Sequence, residues 1–314
     1  MSLNEEAMGI AEVLAMMSDD YRTAVYPIEG GGRFIDCGIS VRGGLRTGVE
    51  LARCCLASLA DVELIPGEVA GHPVSMVHVV TDHPVRACLA SQYAGWSIQV
   101  GKFFAMGSGP MRAAAGTEAI FETIGHREEP SFVVGILETS KPPTAAVFEK
   151  IAEGCRVKPS AVTLLAAPTA SLAGGVQIVS RSVETALHKL AELKFDLSRI
   201  LSAHGWAPLP PVASSDLAAI GRTNDAILYG ARVVLMVSGD DASLEAIGPK
   251  VPSMASRDHG EPFAQIFARY NHDFYAVDPH LFSPAQVSFQ NVETGRCWTF
   301  GWLEPGVLER SFFL

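Results

Sequence analysis

The chain has few charged residues and no long hydrophobic run. Asp, Glu, Lys and Arg make up 18% of its 314 residues, whereas hydrophobic residues make up 48%. No stretch reaches the roughly 18 consecutive apolar residues of a transmembrane helix, so no membrane span is predicted. The first residues lack a basic segment followed by an apolar one, so no signal peptide is predicted and a cytoplasmic location is expected. The composition indicates a compact globular protein.

Positive charge is also scarce. The chain carries 24 Lys and Arg against 34 Asp and Glu, which gives a formal net charge of -10 at pH 7. Without a basic stripe, nucleic-acid binding is not expected. A cationic substrate would meet a favourable mean field, whereas an anionic ligand would need local arginines or backbone N–H groups.

Several catalytic and metal-binding signatures are absent. The six cysteines form no CxxC pair, and Cys54 and Cys55 are adjacent, which suits neither a zinc site nor a disulfide framework. We therefore expect small buried thiols in a reducing compartment. Neither a GxSxG elbow nor a P-loop is present, so readings as a serine hydrolase or a nucleotide triphosphatase lack support.

The hydrophobic pattern predicts an irregular alternation of helices and strands. Helical spacing occurs in residues 8–17, 42–60, 143–153, 183–193 and 263–270. Strand-like composition occurs in residues 74–80, 97–106, 132–137, 162–167, 175–179 and 226–237. Because several strands follow one another directly, we predict an α+β fold of mixed layers rather than a doubly wound parallel sheet.

Two boundaries are predicted from polar residues. Asn4 precedes two acidic residues and is predicted to be the N-cap of the first helix. The polar residues before Pro130 predict a boundary between an N-terminal α+β domain, residues 1–128, and a C-terminal α+β domain, residues 129–314. No repeat of fixed period is visible.

A glycine-rich loop, Gly107-Ser108-Gly109-Pro110-Met111-Arg112, follows a predicted strand. Glycines allow a ligand to approach the backbone, and N–H groups at a helix start favour anions. Arg112 stands where a dinucleotide-binding fingerprint requires Gly or Ala, so a Rossmann fold is not predicted. A plain tight turn explains the same residues.

Arg181, Glu184 and His188 share one face of the predicted helix 183–193. In its first turn, Glu184 could shuttle protons while Arg181 orients it and holds a polar group of a substrate. A solvated ion pair worth less than about 1 kcal/mol is the alternative interpretation.

Two polar segments complete the candidates. The first, Gly221 to Asp225, precedes the apolar run at 226–237 and is either a ligand-binding rim or a turn. The second contains His272, Asp273, Asp278 and His280, which are ligand types suited to a divalent cation. Their spacing matches no metal motif, so no metal is predicted, although a metal-dependent hydrolase or amidohydrolase remains an alternative.

Four blocks in chain order resemble one known family. They are the Gly107–Arg112 loop, residues 167–185, residues 221–230 and residues 273–285. The resemblance is to the methenyltetrahydromethanopterin cyclohydrolases of archaea and methylotrophic bacteria. It implies a two-domain α+β subunit that binds its pterin in an interdomain cleft and assembles as a homotrimer.

The resemblance also assigns roles to residues. Glu184 becomes the general acid/base and Arg181 its orienting partner in hydrolysis of the cyclic amidine of a tetrahydromethanopterin derivative, with no permanently bound cofactor. The expected substrate-binding residues are Gly107, Ser108, Gly109, Arg112, Thr169, Arg222, Asn224, Asp225, Asp278 and His280. Ser108, Gly109 and Arg112 are candidates for the anionic tail of the pterin. A pterin-binding protein without catalysis is a further alternative.

Overall fold

A computed structural model describes residues 2–314. The strands are β1 (Ala24–Pro27), β2 (Arg33–Asp36), β3 (Asp61–Val69), β4 (His72–Thr81), β5 (Trp96–Val100), β6 (Phe103–Ser108), β7 (Val133–Glu138), β8 (Val162–Ala167), β9 (Ile200–Pro208), β10 (Arg232–Val237), β11 (Gln286–Asn291) and β12 (Cys297–Gly301).

The helices alternate irregularly with these strands. They are α1 (Leu3–Met16), α2 (Ser18–Tyr21), α3 (Leu45–Cys55), α4 (Met111–Ala115), α5 (Ile120–Ile124), α6 (Ala145–Cys155), α7 (Leu172–Val179), α8 (Ser182–Glu192), α9 (Asp216–Gly230), α10 (Asp241–Ile247), α11 (Phe263–Arg269) and α12 (Pro305–Phe312). A π-helical segment covers Val85–Gln92, and short 3-10 turns occupy several loops.

The chain forms two compact units, each with its own six-stranded mixed sheet. The first unit contains residues up to 61 together with 86–177, and the second contains 62–85 together with 178–314. This arrangement confirms the predicted α+β fold. The predicted boundary at 128/129 lies inside the first unit, because β6 and β7 on either side of it pair in one sheet.

In the first unit the sheet order is β1-β2-β8-β7-β6-β5, and β2, β8 and β7 run parallel. Alternate side chains of β7 point to opposite faces. Val134 and Ile136 pack with α1 and α3, whereas Val133 and Leu137 pack with α4 and α6. Burial on both faces explains why β7 and β8 read as continuous apolar runs.

In the second unit the sheet order is β12-β11-β10-β9-β4-β3. On β9, Ala203, Gly205 and Ala207 are buried, whereas His204 and Trp206 between them are partly exposed. A side chain on Gly205 would lie 2.9 Å from Ser182 Oγ. The small residues of β9 therefore let the start of α8 approach the sheet closely.

Three predicted elements differ in the structure. Residues 175–179 belong to helix α7, because Ser171 Oγ accepts the N–H of Gly174 and caps a helix there. Residues 226–237 are divided between the end of α9 and strand β10. Residues 97–106 form most of two strands, β5 and β6, which turn at Gly101 in a left-handed conformation.

Asn4 is not the helix cap that was predicted. Helix α1 begins at Leu3, and the Asn4 side chain is buried. Its amide donates to Pro110 O at 3.2 Å and accepts the N–H of Val134 at 2.9 Å. Asn4 thus connects α1 to β7 and to the glycine-rich loop. Five cysteines are buried as predicted, whereas Cys297 in β12 is exposed.

Candidate active site

The start of α8 presents the predicted pair Arg181 and Glu184. Val183, Ala186, Leu187 and Leu190 form the buried stripe of this helix, which packs on β9 and β10. Glu184 lies in the first turn and is only 4% exposed. The N-terminal end of a helix dipole favours a carboxylate at this position.

Arg181 is the N-cap residue of α8. Its carbonyl oxygen accepts the backbone N–H of Thr185 at 2.9 Å, which fixes its backbone at the helix start. Its Nε is buried and has no hydrogen-bond partner among the residues that the structure describes. An unsatisfied buried donor is unfavourable by about 1–3 kcal/mol, so this group is suited to an acceptor supplied by a ligand or a solvent molecule.

Asp278 is the centre of a hydrogen-bond network in the second unit. Its carboxylate accepts from Ser256 Oγ at 2.8 Å and from the backbone N–H groups of Arg257 and His280. Its own N–H donates to Asp258 at 3.0 Å. Although burial opposes ionisation, these hydrogen bonds hold the pKa of Asp278 below its usual value. Several hydrogen bonds therefore support the conformation of segment 278–280.

Helix α8 contacts this segment through Lys189. Its Nζ donates to the backbone oxygen of His280 at 2.6 Å. The structure thereby connects three elements of the predicted site: the helix that carries Arg181 and Glu184, and the residues Asp278 and His280.

Arg222, Asn224 and Asp225 lie on α9 rather than in the predicted turn. Arg222 donates to the carbonyl oxygens of Ser311 and Pro211, and Asn224 donates to Ile220 O one turn earlier. The buried Asp225 carboxylate accepts from Ser311 Oγ and from the N–H of Phe263. The contacts of Arg222 and Asp225 hold helices α9, α11 and α12 together.

Asp225 should make stability depend on pH. Burial raises its pKa to about 7, above the value of about 4 in an unfolded chain, so the folded state holds this proton more tightly. The stabilisation that this proton contributes is therefore lost as pH rises from about 4 to 7. We expect Asp225→Asn to raise the free energy of unfolding by about 1–3 kcal/mol more at pH 8 than at pH 5.

Denaturant titrations at both pH values measure this difference. The Asn side chain keeps an oxygen for the N–H of Phe263, so the fold should be retained. Asp20→Asn, a matched change at an exposed position, should show no such pH dependence. An equal effect of Asp225→Asn at both pH values would contradict the expectation.

The glycine-rich loop serves packing within the first unit. Gly109 has φ +86, and its N–H donates to Ser91 O at 2.8 Å. Ser108 Oγ contacts Cys55 Sγ and Ile136 O, and a side chain on Gly107 would collide with Ile98 and Met111. The predicted anion-binding donor of Gly109 is thus already occupied.

Arg112 is completely buried. Its guanidinium forms a double hydrogen bond with Glu118, at 2.8 and 2.6 Å, and donates to Leu89 O and Ser91 O. The rings of Tyr93 and Phe121 lie about it at 4.9 and 5.3 Å. The structure gives this residue a structural role instead of the predicted contact with the anionic tail.

Thr169 lies just beyond β8, at the carboxyl edge of the parallel strands. Its hydroxyl donates to Glu138 Oε1 at 2.6 Å, and Glu138 ends the neighbouring strand β7. Ligands of parallel sheets commonly bind at this edge. Glu138 was not predicted, although one acidic residue that ends an apolar strand run is a recognisable signal.

Lys189 and Asp258 are two further residues that were not predicted. Lys189 stands between apolar positions of the α8 stripe and resembles a solvated lysine in sequence. Asp258 lies in a polar loop without a motif. Only the tertiary contacts to residues 278–280 distinguish them.

The alternative metal site does not assemble. Among residues 2–314, no group of three or more His, Cys, Asp or Glu side chains is placed to hold a metal ion. His272 packs its ring edge-on against Phe267, and Asp273 caps the following turn through the N–H of Tyr275. Within the same range, no helix has both the length and the apolar character needed to cross a membrane.

The chain is similar to known proteins along nearly its whole length. The family described as cyclohydrolase (MCH) matches residues 2–312. A methenyltetrahydromethanopterin cyclohydrolase of Rhodopirellula baltica is 48% identical over 289 residues, which cover 90% of this chain and 87% of the relative. Proteins of the same name from Methylobacterium sp. and Methanococcoides burtonii are 45% and 39% identical. Each of these two alignments covers 99% of this chain and at least 97% of the relative.

Proposed function

Because the chain belongs to the cyclohydrolase (MCH) family, we propose that it catalyses the reversible hydrolysis of 5,10-methenyltetrahydromethanopterin to 5-formyltetrahydromethanopterin. The full-length similarity to relatives with this name carries the proposal. The reaction opens a cyclic amidine at a C–N bond and belongs to one-carbon metabolism. Relatives occur in sources such as Methylobacterium and Methanosarcina, so methylotrophy and methanogenesis are the contexts of this proposal.

The proposed chemistry requires a single proton-relaying carboxylate. The amidinium carbon between N5 and N10 of the substrate carries delocalised positive charge and is already electrophilic, so we propose no metal. Water loses a proton to Glu184 as it attacks this carbon, and Glu184 then returns that proton to N10 as the C–N10 bond breaks. The hydroxyl group left on the carbon releases its own proton to solvent as the formyl C=O bond forms, which is the net proton of the reaction. The negative charge of Glu184 also attracts the cation. Its shielded position at the start of α8 supports this role.

We assign Arg181 the tasks of orienting Glu184 and donating to a polar group of the substrate. The buried, unpaired Nε supports the second task, because a substrate oxygen or nitrogen would supply the missing acceptor. One turn of helix separates the two residues, so Arg181 and Glu184 can act on the same part of the substrate.

The proposed binding residues are those whose contacts leave them suited to a ligand. They are Asp278 and His280, on the segment that Lys189 of α8 contacts. The His280 side chain is exposed, and the hydrogen bond from Lys189 goes to the His280 backbone. The homotrimer and the cytoplasmic location implied by the family belong to the same proposal, and sedimentation analysis of the purified protein would test the former.

Arg181→Ala should lower kcat/KM by about 10–100-fold, with a lower kcat and a higher KM, because a donor used in both binding and turnover is removed. Steady-state kinetics with the methenyl substrate measure both constants. Arg310→Ala, which removes an exposed arginine of α12, is the matched control. Unchanged kcat and KM in Arg181→Ala would refute its assigned role.

One assay separates the proposed function from its alternatives. Purified protein is mixed with methenyltetrahydromethanopterin, and the loss of the methenyl chromophore is followed with and without prior chelation. Conversion that survives chelation supports the proposal. Activity restored only by a stoichiometric metal would favour a metal-dependent hydrolase, and binding without conversion would indicate a non-catalytic pterin-binding protein.

A further inference from the structure

Lys189 is a buried lysine on the proposed catalytic helix. It is 1% exposed and follows Glu184 by five residues, about 7.5 Å along the axis of α8. Lysine is almost never fully buried without a partner, because its ammonium group loses its hydration. A packed helix stripe would be served better by Leu or Met at this position. We therefore expect this lysine to make a specific polar interaction in addition to packing.

The partner of Lys189 is the segment 278–280. Nζ donates to His280 O at 2.6 Å, and the Asp278 carboxylate acts on the ammonium electrostatically. Asp278 in turn binds Ser256 and the N–H of His280. Lys189 therefore connects α8 directly to this segment.

We infer that Lys189 is a positioning residue for the reaction, which holds the substrate-contacting segment 278–280 against the helix that carries Arg181 and Glu184. This inference rests on the proposed function. A segment held at one distance from the catalytic carboxylate keeps its binding groups in place before the substrate arrives, which lowers KM. Glu184 and Arg181 are left in place when Lys189 is changed, so the chemical step should be affected less than binding.

The pH dependence of KM distinguishes a positioning role of Lys189 from a purely structural contact, which would not change with the protonation of the lysine. Burial lowers its pKa to about 8, and the Asp278 carboxylate acts in the opposite direction. A neutral amine still donates a hydrogen bond but loses the charge assistance. The hydrogen bond that holds segment 278–280 should therefore weaken as pH rises past 8.

Several other ionisable groups lie on the elements around Lys189, so the pH dependence of the wild-type protein has to be compared with that of a variant without the lysine. The inner faces of β9 and β10 present Ala203, Gly205, Val233 and Leu235 to α8, none of which titrates. The ionisable groups on the elements packed against α8, and on α8 itself, are Asp258, Asp278 and His280; Asp196 and Arg199; His204 and Arg232 on the opposite sheet face; and Glu184, His188 and Glu192.

The test compares Lys189→Met with the wild-type protein and with Lys150→Met, which removes an exposed lysine from helix α6. Met has a similar length but cannot donate to His280 O. At pH 7 we expect Lys189→Met to raise KM about 10-fold and to lower kcat by less than about 3-fold, with the control unchanged. Circular dichroism and thermal melting verify that the variant is folded.

The pH arm repeats the measurement from pH 7 to 9, with uncatalysed hydrolysis subtracted. Wild-type KM should rise about 3-fold over this range, and KM of Lys189→Met should stay flat. If Lys189→Met does not fold, Lys189→Gln, which keeps a shorter donor, should give an intermediate and pH-independent KM. A wild-type KM in the folded variants, or the same pH dependence in both proteins, would overturn the inference. In that outcome, an active wild-type enzyme that still requires Glu184 would leave the proposed function intact.

Discussion

Replacing Glu184 by Gln is expected to lower kcat by about 10²–10⁴ while the fold is retained. The amide is nearly the same size as the carboxylate, so it fits the same shielded position in the first turn of α8. It can neither accept a proton from attacking water nor return one to N10. The loss corresponds to about 3–5 kcal/mol of transition-state stabilisation. Loss of the methenyl chromophore under saturating substrate measures kcat directly.

Glu192 supplies the matched control for this experiment. It lies at the end of the same helix and is exposed. Glu192→Gln makes the same chemical change without a neighbouring substrate, so its kcat should equal that of the wild-type protein. Near-normal turnover of Glu184→Gln would remove Glu184 from the mechanism, whereas equal losses in both variants would indicate a general effect on α8.

Elements with a single strong period were predictable from the sequence. The stripe of α8 recurs at helical spacing, and the structure begins and ends this helix within one residue of the prediction. The runs that form β7 and β8 are apolar throughout because both faces of their sheet are covered. In each case the buried positions produce a recognisable pattern of apolar residues in the local sequence.

Elements were mispredicted where local composition conflicts with tertiary context. The residues of α7 include Val176, Ile178 and Val179, which favour strands, yet the cap at Ser171 and close packing of Gly48 on Ala173 and Val176 select a helix. Similarly, α9 ends at Gly230 and β10 begins at Arg232, so the continuous apolar run over 226–237 gives no sign of the change from helix to strand.

The candidate site divides in the same way. Arg181 and Glu184 were found by spacing, because both lie in one helical turn. The contact from Lys189 to His280 joins residues 91 positions apart, and no local pattern records such a distance. Conversely, Asp225 appeared suited to ligands in sequence, but it is used to join three helices.

Arg112→Met is expected to destabilise the protein by about 3–5 kcal/mol, the largest stability change that we predict. The substitution leaves Glu118 without its cation and removes the donors to Leu89 O and Ser91 O. A carboxylate left unpaired in a largely buried position is poorly hydrated, which is unfavourable. Leu89 O also loses its donor from Arg112, whereas Ser91 O keeps the N–H of Gly109. Denaturant-induced unfolding of the wild-type and variant proteins measures the difference.

The ion pair between Arg127 and Glu122 provides the comparison, because both side chains are exposed. Arg127→Met should change the free energy of unfolding by less than about 1 kcal/mol, since water replaces the lost partner. Adding Glu118→Gln to Arg112→Met should restore part of the stability, because the unpaired charge is then removed. If Arg112→Met and Arg127→Met were equally mild, the guanidinium of Arg112 would not be the fixed, desolvated centre of this region.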